Sequence, residues 1–451
     1  MNKHLWILPI LFLAVTGCAK TAIPVSEAKV TSSTVPSKKQ GTVVYGMRKF
    51  PYPYKAMLAI SSDADHETLR KFNLVHELLN TTELTPMGKG LGLDISDSFF
   101  MYNGSNIQTY TDVNHLPLTS MLTWYEGTSS IPYGATILND YIKAGWIDTL
   151  HTYGDFSMTN QTHTRFTRYL AKQAINTLNQ HGDNLTVWTD HGNMSNMDNF
   201  GSYGTRGFYT YQQGANSWSP YYHTDLLIPY GVKFVWADGH SNIFGQPNTI
   251  YPLRLPDGRK VWGFYRYTDI GRDAKKNVLW VWTANDMPKE LSRTHFDEII
   301  KNYDYAIVAS HFYANNNELP FTSATIDSLK ALQQEYLNGN ILVARTSRLL
   351  AYNVLQKYLQ YKVTQFPGKT IINIEGVADP IFGWSVPTVD SLHGITFYTS
   401  NPEETVIEIA GIPVPLNVLQ VNKTDGYAPS IGFKWYPSDT TNYAISPPGI
   451  Y

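Results

Sequence analysis

Charge is scarce in this chain. Of its 451 residues only 16% are Asp, Glu, Lys or Arg, and 35 Lys+Arg against 37 Asp+Glu leave a net charge of −2; the usual charged share is about 25%. Without a basic surplus there is no electrostatic footprint for gripping DNA or RNA, so no nucleic-acid partner is expected. Cysteine is scarcer still. Cys18 is the only one, which excludes a disulfide within the chain. Gly-rich phosphate loops of the Walker or Rossmann kind are missing, and so is Gly-x-Ser-x-Gly, the signature of nucleophile-elbow hydrolases. Beyond the first segment no run is apolar enough to cross a bilayer, which takes ~20 helical residues, and no solenoid period is evident.

What is plentiful is apolar and aromatic. Hydrophobic residues make up 43% and aromatic ones 14%, with 31 Tyr and 11 Trp. That is ample for a packed core and excludes wholesale disorder. Amphipathic rings in such numbers also suit wet interfaces with flat, half-apolar ligands such as sugars.

The chain opens with Lys3 and His4 ahead of an apolar stretch from Leu5 to Val15, too short to span a membrane and read as a secretory signal over residues 1–17. The stretch ends in Val15-Thr16-Gly17-Cys18, which resembles a bacterial lipobox. The resemblance implies that Cys18 is lipidated and that the membrane is a partner through this anchor. Ala19, where the inner-membrane retention signal of enteric bacteria has Asp, implies an outer-membrane location for a Gram-negative source. Residues 18–42, rich in Ser, Thr, Pro, Ala and Lys, read as a flexible tether.

From Val43 strand-like apolar runs alternate with segments of helical period. Tyr54 to Ser62 reads as a buried strand, followed by a helix from Glu67 to Asn80 with Leu69, Phe72, Val75, Leu78 and Leu79 on one face. Further strands are expected at 145–150, 185–188, 232–236, 278–282, 305–310 and 341–344. Further helices are expected at 164–181, stopped by Gly182, at 294–302, at 323–338 and from Ser347. Repeated β-α units predict a parallel α/β architecture, barrel or doubly wound, over 43–358. The short Val-, Ile-, Thr- and Tyr-rich runs after that predict a small antiparallel β domain over 359–451.

Five histidines end or closely follow strand-like runs: His66, His151, His191, His240 and His311. In parallel α/β proteins the C-terminal strand ends share the face that carries the active site. Asp63 and Asp65 lie so close at the first strand's tip that they repel unless a cation or proton sits between them, although an Asx-turn capping the next helix is an equally good account. His151 and Asp155, four apart, can both reach one ion. Asp65, His151 and Asp155 together would supply three ligands and leave positions open for water or substrate; His163 or His191 could complete the set instead of Asp155.

These residues resemble the NodB-like polysaccharide deacetylases, carbohydrate esterase family 4, and their relatives in the glycoside hydrolase/deacetylase superfamily. Asp63-Ala64-Asp65 is similar to the family's Asp pair, His151-Thr152-x-x-Asp155 to its His-Ser/Thr-x-x-His motif except in the last ligand, and Ala306 to His311 to its late His-bearing strand. In layout the resemblance covers roughly 43–352, and the family's Arg-Pro-Pro-x-Gly motif has no clear counterpart.

The resemblance implies an α/β fold, an irregular (β/α) barrel of NodB type followed by a small C-terminal all-β domain. It implies removal of N-acetyl groups from a polysaccharide, with a divalent metal on Asp65, His151 and Asp155, Asp63 as general base and His311 as general acid. Zinc is the first expectation for the metal; the extra negative charge of Asp155 favours manganese or iron.

Asp190, His191, Trp236 and Asp238 are further candidates for binding the polysaccharide. Asp94 and Asp97 could line the same face or simply the polar side of a strand. Trp124, Tyr125, Trp236, Trp262 and Tyr265 could stack on sugars, although large aromatics more often fill cores. A glycosidase using paired carboxylates, or a non-catalytic polysaccharide-binding lipoprotein, are the competing expectations.

Overall fold

The computed structural model describes residues 42–445 apart from 104–120, 157–165, 192–195, 202–211, 238–239, 242, 273–277, 282 and 314–317. The signal segment, Cys18, His163 and Asp238 lie outside the described residues. Thr42, expected as the tether's last residue, is packed: it is buried, and its hydroxyl donates to Glu404 at 3.0 Å.

The protein is mixed α/β. After a first strand, β1 (Val44–Met47), the main body alternates β2 (Ala56–Ser62), α1 (Leu69–Asn80), β3 (Asp97–Tyr102), α2 (Ala135–Ala144), β4 (Ile147–His151), α3 (Arg168–His181), β5 (Val187–Thr189), α4 (Thr224–Tyr230) and β6 (Phe234–Trp236). It continues with β7 (Lys260–Phe264), β8 (Arg266–Tyr267), α5 (Arg293–Asn302), β9 (Tyr305–Ser310), α6 (Ser323–Leu337), β10 (Ile341–Val343) and α7 (Thr346–Tyr358). The main sheet runs β8-β9-β2-β3-β4-β5-β6-β7 with these neighbours all parallel, and Ile250–Arg254 adds antiparallel to β7 at its edge. Strand β10 lies along the first half of β2. Only Tyr265 separates β7, which pairs with β6, from β8, which pairs with β9.

Strand β2 shows why the apolar runs are continuous rather than alternating. All seven of its residues are buried, and the period of two sends them into different cores. Leu58 and Ile60 pack with Phe72, Val75, Leu78 and Leu79 of α1, whereas Met57 and Ala59 pack with Val187, Trp236 and Ile307. Helix α1 is capped by the Thr68 side chain accepting from Lys71 N, and Leu69, expected on its buried face, is 37% exposed. Gly182 ends α3 in the left-handed conformation, φ 65°, as the sequence predicts.

The C-terminal region differs from expectation in two respects. It recruits β1, which pairs antiparallel with β13 (Thr396–Thr399). It is also not wholly antiparallel: β12 (Lys369–Asp379) forms a hairpin with β11 (Leu359–Phe366) but runs parallel to β14 (Thr405–Ile409). A second sheet joins β13 to β16 (Ser430–Phe433) and β15 (Leu419–Asn422). Ile372, Ile374, Phe397, Ile407 and Phe433 share one apolar cluster with Met57, Ala59, Phe234 and Trp236 of the main sheet. Among the described residues, no helix is long and apolar enough to cross a membrane.

Candidate metal centre

The tips of β2, β4, β5 and β9 come together because their registers align: Ser62 lies opposite Ser310 and Asp97, and His151 opposite Thr189. Residues just beyond these tips therefore converge at one end of the sheet. Asp65 is the hub. Its Oδ1 is 2.7 Å from His191 Nε2, and its Oδ2 is 3.1 Å from His151 Nε2 and 3.4 Å from His311 Nε2. The ligand atoms of Asp65, His151 and His191 all lie within 4.8 Å of one another, so this cluster could hold a metal ion.

The surroundings orient these donors. His151 Nδ1 is 2.9 Å from Thr189 Oγ1 and 3.3 Å from Thr189 O. A carbonyl can only accept, so the network assigns the hydrogen to Nδ1 and leaves Nε2 as the ligating nitrogen. The Phe100 ring stacks on His151 with centroids 5.0 Å apart. His66 and Thr152, the residues that follow Asp65 and His151, both adopt left-handed backbone, φ 64° and 53°. For a β-branched threonine that is an outlier, and such strain concentrates at functional sites.

Asp155 is not where the sequence placed it. It stands behind His191, its Oδ1 3.8 Å from His191 Nδ1, on the far side of the imidazole from Asp65. The reason is local: Tyr153 N donates to Asp198 and Phe156 N to Asn196, which turns the 152–156 loop toward that segment. Strand β5, lying directly against β4, brings His191 to the position expected of Asp155. His191, expected either to contact substrate or to complete the coordination in place of Asp155, is thus the third member of the cluster.

Asp63 faces a different partner. Arg266 donates Nη1 to Asp63 Oδ1 at 2.6 Å and Nη2 to Oδ2 at 2.8 Å, a bidentate pair. The guanidinium is fully buried and lies 3.8 Å from the centroid of the Trp236 ring. Trp236, expected as a sugar platform, is therefore an internal support, and it is 1% exposed. Sequence reasoning missed Arg266, although an arginine within the apolar run Trp262 to Tyr267 is itself a signal, because a buried cation needs a buried anion.

The electrostatics follow from the crowding. Burial works against the charge of Asp65, but His191 and hydrogen bonds from His151, His191 and His311 hold its carboxyl well below the usual range. Asp63 is likewise lowered against its burial, chiefly by Arg266. Burial disfavours the His191 cation, yet Asp65 and Asp155 push its pKa up to about 10. His311 is raised by Asp65 and Asp63 in the same way. Asp63 and Asp65 side by side, with Asp155 beyond the His191 imidazole, call for positive charge, from protons or from a cation, and a donor set of one carboxylate and two imidazoles fits a divalent transition metal.

Other expected residues lie elsewhere. Asp190 accepts from Trp188 Nε1, Phe200 N and Gly201 N, each at 2.8 Å, and so anchors a loop. Asp94 pairs with Arg345 and Arg348, and Asp97 accepts from the Tyr313 hydroxyl in the core. Trp124, Tyr125 and Trp262 are buried. Compared with protein-family models and with curated proteins, the chain matches none.

Proposed function

We propose that this protein is a metal-dependent hydrolase that removes N-acetyl groups from an envelope or extracellular polysaccharide, on an irregular (β/α) barrel closed through Tyr265 and anchored to the envelope by a lipid on Cys18. The observation that carries the reading is the convergence of the Asp65, His151 and His191 donors with a second carboxylate, Asp63, and a second imidazole, His311, which is 3.7 Å from Asp63 Oδ2. Metal ligands, a base and an acid within one small volume are what hydrolysis of an unactivated amide requires.

Asp65, His151 and His191 would hold the ion. A divalent metal bound there, zinc or alternatively manganese or iron, supplies Lewis acidity toward the acetyl carbonyl and toward water. Asp63 accepts a proton from the attacking water, whose oxygen bonds to the carbonyl carbon. Arg266 keeps that carboxylate aimed and ionised. His311 delivers a proton to the amide nitrogen as the carbon–nitrogen bond breaks, so acetate and a free amino sugar leave. Asp155, 3.8 Å from the other ring nitrogen of His191, adds negative charge behind it.

Metal analysis of the purified protein combined with acetate release from an N-acetylated glycan tests this. Bound metal at about one equivalent and acetate release lost in Asp63→Asn, by a factor of about 10²–10⁴, are the expected results. Reducing sugar released without acetate would instead indicate a glycosidase.

A further inference from the structure

Trp218 is 95% exposed, the highest value for a large apolar side chain among the described residues. An indole left in water forgoes the gain that a large apolar ring normally makes on burial, so its position is not explained by packing. Nor does it sit on a slack segment. Trp218 N donates to Asn216 Oδ1 at 3.1 Å, Ser219 N to Asn216 O at 2.9 Å, and His223 N closes the loop on Gly214 O at 2.8 Å. Below it Tyr222 is clamped, its hydroxyl 2.6 Å from Arg259 Nη1 and its ring under the Arg168 guanidinium at 5.4 Å. Arg168 is itself forked onto Asp225, with both bonds at 2.7 Å.

The loop is continuous with the candidate metal centre. Gly214 N donates to Asn199 O at 2.8 Å, and the Asn199 side chain accepts from His191 N at 2.9 Å and donates back to His191 O. The turn that presents Trp218 is therefore two hydrogen-bonded steps from a proposed metal ligand. It precedes α4, at the end of the sheet where the strand tips gather. Tyr169, beside Arg168 in the first turn of α3, is a second exposed ring, 68% accessible.

The chemistry of the loop selects the occupant. Residues 211–223 read YQQGANSWSPYYH, without one Asp, Glu, Lys or Arg. A membrane-seeking aromatic would be flanked by cations to meet anionic headgroups. The two arginines that touch Tyr222 are held by carboxylates, Arg168 by Asp225 and Arg259 by Asp257, and the loop's own side chains are Asn, Gln, Ser and Tyr, neutral donors and acceptors suited to hydroxyl groups around a flat apolar ring face. We infer that Trp218 is a stacking platform for a pyranose unit of the polymer, bound away from the reacting acetyl group. The inference rests on the polysaccharide reading above.

The test uses the full chain as wild type, Trp218→Ala, Trp218→Phe and Asp63→Asn, with retention in gels containing a soluble N-acetylglucosamine polymer or peptidoglycan glycan strands as the readout. Wild type and Asp63→Asn should be retarded alike, Trp218→Ala should bind about tenfold more weakly, and Trp218→Phe should fall between. Acetate release from an N-acetylated disaccharide should be unchanged in Trp218→Ala while its KM for polymer rises. Equal retention of wild type and Trp218→Ala alongside normal acetate release would overturn the platform and leave the hydrolase standing. No retention and no acetate from wild type would remove the polysaccharide reading itself and the platform with it. Trp218-dependent sedimentation with phosphatidylglycerol–phosphatidylethanolamine vesicles, and none with glycan, would overturn the inference in favour of a membrane contact.

Discussion

Arg266 and Asp63, 203 positions apart in the chain, meet fork to fork in the protein interior, with donor–acceptor distances of 2.6 and 2.8 Å. This pair is what keeps a carboxylate ionised where water is nearly absent. Truncating the arginine leaves the anion buried without a partner, a defect of about 3–5 kcal/mol. Arg266→Met should therefore lower the urea midpoint strongly, and adding Asp63→Asn should recover part of the loss. Equal midpoints for the single and double variants would show that the two residues are not coupled.

The imidazoles of the cluster and the carboxylate behind His191 should separate in metal binding. His191→Ala removes a ligand and should abolish stoichiometric metal, as should His151→Ala. Asp155→Asn keeps the three donors and removes only a charge 3.8 Å from His191 Nδ1, so affinity should fall only about 10–100-fold. Equilibrium dialysis with zinc distinguishes the two classes, and a complete loss in Asp155→Asn would make Asp155 a ligand after all.

Asp190 should matter to folding rather than to substrate. Its carboxylate satisfies an indole N–H and two backbone N–H groups. Asp190→Ala leaves those buried donors unpaired, at about 1–3 kcal/mol each at most, and should depress Tm by several degrees. A variant of unchanged Tm with a raised KM would return Asp190 to substrate binding.

Glu290 gives a pH signature. It is fully buried, and burial together with Asp286 and Asp269 pushes its pKa from 4.5 up to about 9. The folded protein thus holds a proton that the unfolded chain gives up above pH 4.5, so stability from this group falls as pH rises from 4.5 toward 9. Glu290→Gln removes that slope. The variant should match wild type near pH 4 and exceed it by roughly 2–4 kcal/mol at pH 8. Parallel stability profiles would show that Glu290 is ionised in the fold.

Much of this was readable beforehand where the signal is local. The run Tyr54 to Ser62 reads as a buried strand, which the structure forms over Ala56–Ser62, and Gly182 reads as a helix stop, because each depends on neighbours in sequence. Asp63, Asp65, His151 and His311 were picked out because strand tips share one face in a parallel sheet. Choices that depend on which strands touch were not accessible. Whether Asp155 or His191 joins the cluster is decided by the pairing of β4 with β5, and the partner of Asp63 lies two hundred residues away. The capture of Val44–Met47 by Thr396–Thr399 is equally non-local, and nothing in either segment announces it. Trp218 was overlooked because its exposure is a property of the fold and not of its sequence neighbourhood.

The apolar cluster that joins Ile372, Ile374 and Phe397 to Met57, Ala59 and Phe234, reinforced by the Trp262 indole donating to Asp379 at 3.1 Å, bears on how the molecule can be dissected. The last segment is no detachable appendage: it floors the same interior that the strands of the main sheet roof. A chain shortened after Tyr358 would present the underside of those strands to solvent and should precipitate. Replacing this segment would disturb from below the strands that carry the candidate metal centre.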